Sequence, residues 1–397
     1  MSLNQPTIVS QETGGIRHRQ NLIPRLLFIS PGSFSNWGET SHVKKIRECF
    51  IENDWRVGEY PGNKSTRIEP NHGLSTIKAY LAPVKSLTFV RNMARIMSGY
   101  DIIHLFFISR MSFSKHVLPA IILGRFLGKR VVLSYYRNQA EAELESTGRW
   151  MLPFFQMCSK IIVSSEYIAG LFAHHGILTE IIPHVLDEHL FRPREIKSVQ
   201  PKIIVARSLE RRNNIACAIE AFGLVKQKYP RTEMVIVGDG PQREELERLV
   251  STEKLNGITF TGQASLDALS RHFAQADLYV NTSSIDGLPI SMLEALKIGV
   301  PVVTTGAGGI PTVITDRENG LLVKANDPAG LADRIIELVE SPQLAQRLSG
   351  QAKRSVKDYS WSQVKNKWLD LYRSLSRKEG RKITRGFQAS QVPSITR

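Results

Sequence analysis

Short runs of β-branched and aromatic residues recur along this chain, each followed by a stretch whose apolar residues have helical spacing. The runs are RLLFIS, DIIHLFF, RVVLSYY, KIIVSS and TEIIP, then KIIVAR, EMVIVGDG, ITFTG, DLYVNTS and PVVTT. Several are apolar almost throughout, as strands of a parallel sheet are when helices cover both faces. Helices are predicted between them, over 213–229 and 242–251 among others. In the second, Pro241 suits a first turn, Glu244 and Glu245 suit the positive helix end, and Leu246 and Leu249 share a face. Repeated strand–helix units predict an α/β protein built from doubly wound, Rossmann-like parallel sheets.

The units fall into two sets, separated by the polar linker RPREIKSVQP. One domain is expected over 25–195 and a second over 196–358. Two such domains imply a cleft, and sheets of this kind bind ligands outside the carboxyl ends of their strands. The segment YSWSQVKNKWLDLYRSL puts Trp361, Val364, Trp368, Leu371 and Tyr372 on one helical face, so a helix packed across both domains is expected within 359–376. Residues 1–24 and 377–397 read as flexible tails.

Composition narrows the function. The three cysteines, Cys49, Cys158 and Cys217, are scattered, which suits a reducing compartment, and no Cys/His cluster has zinc spacing. The start MSLNQPTIVSQETGG lacks a signal-peptide pattern, and the apolar run VLPAIILG is too short to span a bilayer, so a cytoplasmic protein is expected. Net charge is +15, of which +7 lies in residues 1–25 and 377–397. The basic C-terminal tail reads as solvated, with peripheral contact to an anionic inner membrane face as the alternative; no nucleic-acid motif accompanies the charge.

The candidate chemistry centres on SSIDGLPISMLEALKIGVPVVTT, residues 283–305. Asp286 lies in a loop after a strand, and Glu294 about one turn into the following helix, which Pro289 opens and Gly299 stops. Carboxylates there can accept hydrogen bonds from vicinal hydroxyls. The pair alone reads equally well as a helix cap and a surface acid. Other features favour a ligand. RSLERRNN sets Arg207, Arg211 and Arg212 after a strand, where cations suit a diphosphate. VGDGPQ places Gly238 and Gly240 at a tight strand–helix turn, and TTGAGGIP supplies Gly306, Gly308 and Gly309 as a candidate phosphate cradle. SPGSFSNWGETSHV, with Gly32 and Gly38, offers a glycine-rich loop from the other domain. No full dinucleotide fingerprint is present, so NAD is not supported.

The series ARSLERRNN, MVIVGDGPQ, DGLPISMLE, GVPVVTTGAGGIPT and NGLLV, in that order, resembles the nucleotide-sugar-binding half of glycosyltransferase family 4. IIPHVLDEHLFRP resembles the family's inter-domain segment, while SPGSFSNWGE, GYDIIHLF and GKRVVLSYY match its first half more loosely. The resemblance covers roughly 25–375. It implies a GT-B architecture and retaining, metal-independent transfer from a UDP-, GDP- or ADP-sugar to a glycan, lipid-linked or small-molecule acceptor, with no cofactor. By the same resemblance, Arg207 and Arg212 would neutralise the donor diphosphate, Glu294 would hold the ribose and Asp286 the sugar. Gly238, Gly240, Gly287, Leu288, Pro289, Ile290, Gly308 and Gly309 would line the donor site, with Gly32 and Gly38 facing it. The chain departs from the family pattern at several places. Asp286 replaces a glutamate, Arg212 a lysine, Thr312 a glutamate and Tyr136 a histidine. Two alternatives stay open: an inactive nucleotide-sugar-binding regulator, which Tyr136 motivates, and a GT-B sugar-nucleotide epimerase. His104, a lone histidine at a strand end, reads as structural.

Overall fold

The computed structural model describes residues 24–30, 43, 46–48, 50–52, 55–61, 77–107, 113–136, 140, 144–145 and 149–376. Gly32 and Gly38 lie outside them. So do both expected tails, apart from Pro24, which leads into the first strand.

Two six-stranded parallel sheets form. The first holds β1 (Leu26–Ser30), β2 (Val57–Pro61), β3 (Ile102–Phe107), β4 (Arg130–Tyr135), β5 (Lys160–Val163) and β6 (Glu180–Ile181), in the order β2-β1-β3-β4-β5-β6. The second holds β7 (Lys202–Ala206), β8 (Glu233–Val237), β9 (Ile258–Gly262), β10 (Leu278–Asn281), β11 (Val302–Thr305) and β12 (Leu321–Val323), in the order β12-β11-β10-β7-β8-β9. All ten expected strands are present. The two unforeseen ones, β2 and β12, are edge strands paired on one side only, where burial demands a weaker apolar pattern.

Alternate residues of each strand serve opposite helix layers. In the first domain, Leu27, Ile103, Leu105 and Leu133 face α1 (Ile77–Ser98), α2 (Leu118–Phe126), α3 (Leu152–Gln156) and α4 (Glu166–His174). Leu26, Phe28, Phe106 and Val132 face the other way, against Val364, Trp368 and Tyr372 of the C-terminal helix α11 (Trp361–Ser376). His104 pins that helix. Its Nδ1 lies 2.6 Å from the Tyr372 hydroxyl and its Nε2 2.7 Å from Ser134 Oγ. Burial lowers its pKa to about 3, so the ring is neutral and structural.

In the second domain, α5 (Ile215–Lys228), α6 (Arg243–Thr252), α9 (Pro328–Glu340) and α10 (Pro342–Ser355) cover one sheet face. α7 (Leu266–Gln275) and α8 (Ile290–Ile298) cover the other. α5 starts two residues later than expected because Arg211–Asn213 form a 3₁₀ turn and Asn214 is left-handed, at φ 45°. Pro241 and Pro289 stand just before their helices rather than inside the first turn; Pro289 is the N-cap of α8. Gly299 ends α8 at φ 88°, as a C-terminal glycine should. The polar linker is packed rather than loose. Ile196 and Val199 enter the second domain's core, and Arg194 N–H donates to the Ile298 carbonyl at 2.8 Å. The chain crosses between the domains where Leu186 N–H donates to the Tyr359 carbonyl at 3.1 Å.

Candidate active site

The second sheet runs outward from β7 in both directions, through β8 to β9 and through β10 to β12. The crevice between β7 and β10 is therefore its topological switch point, where ligands of such sheets bind. Arg207 follows β7 and Asp286 follows β10. Although 79 positions apart in sequence, they form an ion pair at this crevice through Arg207 Nη2 and Asp286 Oδ2.

Asn213 braces the pair. Its Oδ1 accepts from Arg207 Nη2 at 2.8 Å, while its Nδ2 donates to the Ser208 carbonyl at 2.7 Å and to Ser208 Oγ at 2.9 Å. Thr282 Oγ1 donates to the Asn213 carbonyl at 3.0 Å, tying the two loops together. Sequence reasoning missed Asn213; its signal is an amide beside the left-handed Asn214 at a strand–helix junction.

Asp286 is fully buried, and its Oδ1 makes no hydrogen bond among the described residues. Burial raises its pKa against the opposing charge of Arg207. It does not cap α8. Glu294 is not a surface acid either: it is buried, and burial, reinforced by the charge of Asp187, raises its pKa to about 8. At neutral pH the site thus holds Glu294 chiefly as the neutral acid. Asp187 was not anticipated; its Oδ1 accepts from the backbone N–H groups of His189 at 3.0 Å and Leu190 at 3.2 Å. Tyr279 lies within electrostatic reach of Arg207, Asp286 and Glu294, and its hydroxyl is 2.9 Å from Ser291 Oγ.

Arg212 approaches Glu210 Oε2 at 2.8 Å, and its charge also reaches Asp286. Its carbonyl accepts from Ser284 N–H at 2.8 Å. Two arginines thus converge on one crevice.

Gly238, Gly240, Gly308 and Gly309 let loops touch. A side chain at Gly238 or Gly240 would collide with the carbonyls of Arg207 or Leu209, and one at Gly308 or Gly309 with those of Asp286 or Gly287. Gly309 N–H already donates to the Asp286 carbonyl at 2.9 Å, so this amide is not free for a phosphate. Leu288 is buried in the apolar core with Met292 and Ile310, and Ile290 is half-buried. Tyr136 is buried too, stacked on Phe106 at 6.2 Å and tilted against His184 at 5.2 Å.

The architecture is that of GT-B glycosyltransferase structures. Sucrose-phosphate synthase from Thermosynechococcus elongatus superposes with a TM-score of 0.69 at 18% identity, covering 88% of this chain and 99% of that one. Anabaena HepE in complex with UDP and glucose gives 0.70 at 17% identity, covering 88% and 100%. Residues 187–355 match the family model described as "Glycosyl transferases group 1". The poly(glycerol-phosphate) alpha-glucosyltransferase of Bacillus subtilis (strain 168) is 27% identical over 208 residues, 52% of this chain and 30% of that protein. An uncharacterized glycosyltransferase of Methanocaldococcus jannaschii is 23% identical over 361 residues, covering 84% and 88%. The chain spans less than half the length of several curated relatives it matches. The family model, which covers less than half of this chain, and these relatives are all glycosyltransferases by description.

Proposed function

We propose that the chain is a retaining, metal-independent glycosyltransferase of family 4 that takes its sugar from a nucleoside-diphosphate donor. The observation that carries this reading is the joining of Arg207, Asp286 and Asn213 at the switch point, with Arg212 in electrostatic reach of Asp286, and Glu294 sharing Tyr279 as an electrostatic neighbour with Arg207 and Asp286. A departing nucleoside diphosphate develops negative charge, and Arg207 and Arg212 supply positive charge where it forms. The diphosphate takes Arg207 from Asp286, which frees that carboxylate for sugar hydroxyls. Glu294 accepts the ribose hydroxyls. The acceptor, a glycan or a lipid-linked sugar, enters from the first domain, and the protein works in the cytoplasm.

A thermal-shift and ligand-observed NMR screen of UDP-, GDP- and ADP-sugars tests the reading, with Arg212→Ala as control because Arg212 is partly exposed. A donor that binds the wild type and is lost in the variant supports it. Silence across the panel from folded protein rejects it. The burial of Tyr136 at the usual histidine position favours one second reading, a nucleotide-sugar-binding regulator. Donor binding without turnover across acceptors selects it.

A further inference from the structure

Three segments of the helix layer on the outer face of the first domain carry cations without acids, although α4 in the same layer opens with exposed Glu166 and exposed Glu145 precedes Arg149. Residues 77–98, 113–130 and 149–160, which contain α1, α2 and α3, include no aspartate or glutamate. α1 packs on α2, and α2 on α3. The contact is close: a side chain at Gly124 would stand 3.4 Å from Met97 Cε. Trp150 lies edge-on to Phe113 at 5.3 Å. Arg95 and Ile96 therefore neighbour α2, whose Ile122, Arg125 and Phe126 form one outward stripe.

This layer also exposes large apolar side chains. Phe126 is 87% exposed, Trp150 49%, Ile122 46% and Ile96 37%. They are half of the exposed large hydrophobics among the described residues. Arg91 and Arg95 on α1, Arg125 on α2 and Arg149 in the 3₁₀ turn before α3 lie exposed, with no ion pair among the described residues. A surface that served only solubility would mix signs and avoid apolar stripes. Interleaved cations and apolar groups fit an anionic lipid bilayer: the arginines meet head groups while Phe126, Ile122 and Trp150 enter the acyl boundary. A nucleic acid would use the cations but gain little from Phe126 and Ile122. No described helix is long and apolar enough to cross a membrane, so such contact would be peripheral.

We propose that the α1–α3 face of the first domain docks on anionic lipid bilayers. Docking of this kind requires no glycosyltransferase activity. The test is flotation of the full chain with vesicles of phosphatidylcholine alone or mixed equally with phosphatidylglycerol, at low and high salt. Two variants keep both tails: Arg91→Glu/Arg95→Glu/Arg125→Glu and Ile122→Ser/Phe126→Ser. The wild type is expected to float only with the anionic vesicles. The arginine variant should lose about a hundredfold in partitioning, from three surface cations. The apolar variant should lose severalfold and retain only salt-sensitive binding. Unchanged melting temperatures show that both variants are folded. Failure of the wild type to float, or wild-type flotation by both variants, overturns the proposal. So does a face that binds heparin or duplex DNA through the arginines while the apolar variant floats normally.

Discussion

Replacing Glu294 by glutamine should stabilise the fold while weakening donor binding. The carboxyl titrates near 4.5 in an ordinary setting and at about 8 in the fold, because burial and Asp187 oppose its charge. Between these values the folded state holds a proton that the unfolded state has released, so stability falls as pH rises through that window. Below it both states are protonated and Glu294 contributes nothing; above it both are ionised and the full cost remains. Holding the proton at about pH 7 costs about 3 kcal/mol, which glutamine avoids. Spread over a chain of this length, that is a rise in melting temperature of about 3 °C. Calorimetric melts of wild type and Glu294→Gln across a pH series provide the assay. The variant's advantage should be absent in acid, grow toward neutrality and level off above about pH 8. A difference independent of pH, or a variant less stable throughout, would refute the reasoning by showing Glu294 already ionised. The same variant should lose about tenfold in donor affinity, read by calorimetric titration.

Donor binding at neutral pH should release a proton, because hydroxyl donors favour ionised Glu294; titration in buffers of different ionisation enthalpy measures it, and Glu294→Gln should abolish it. Arg207→Ala leaves Asp286 buried without its counter-charge and should cost about 3 kcal/mol in urea unfolding. Gly309→Ala forces a side chain against the Gly287 carbonyl and should lower both melting temperature and donor affinity. Tyr372→Phe removes a partner of buried His104 and should cost about 1–3 kcal/mol, with donor affinity unchanged.

The strands were legible because a doubly covered strand needs a continuous apolar run, and such runs stand out without knowledge of neighbours. β12 was not, because three residues at a sheet edge carry little pattern. Arg207 and Asp286 were identifiable as candidates from their places after strands, and Glu294 from its place about one turn into the following helix. Their electrostatic state was not. It depends on the β7–β10 pairing, which brings the arginine to the aspartate, and on Asp187, which adds to the rise in the glutamate's pKa. The glycines were visible, but the loop contacts that four of them allow were not. A glycine required by a neighbouring carbonyl and one required by a phosphate look alike in sequence.

The loop packing explains how the site can hold its charges in place before a ligand arrives. Gly238 and Gly240 seat one loop against the backbone of Arg207 and Leu209; Gly308 and Gly309 seat another against Asp286 and Gly287. Asn213 and Thr282 then lock the arginine loop to the aspartate loop. The backbone is thus fixed, and the remaining freedom lies in which partner each charged side chain takes. On the proposed function, a diphosphate would compete with Asp286 for Arg207, and hydroxyls with the proton for Glu294. Both exchanges would replace one interaction by another of similar kind, so donor binding is expected to reorganise protons and partners rather than the chain. A site of this design needs its glycines as much as its charges.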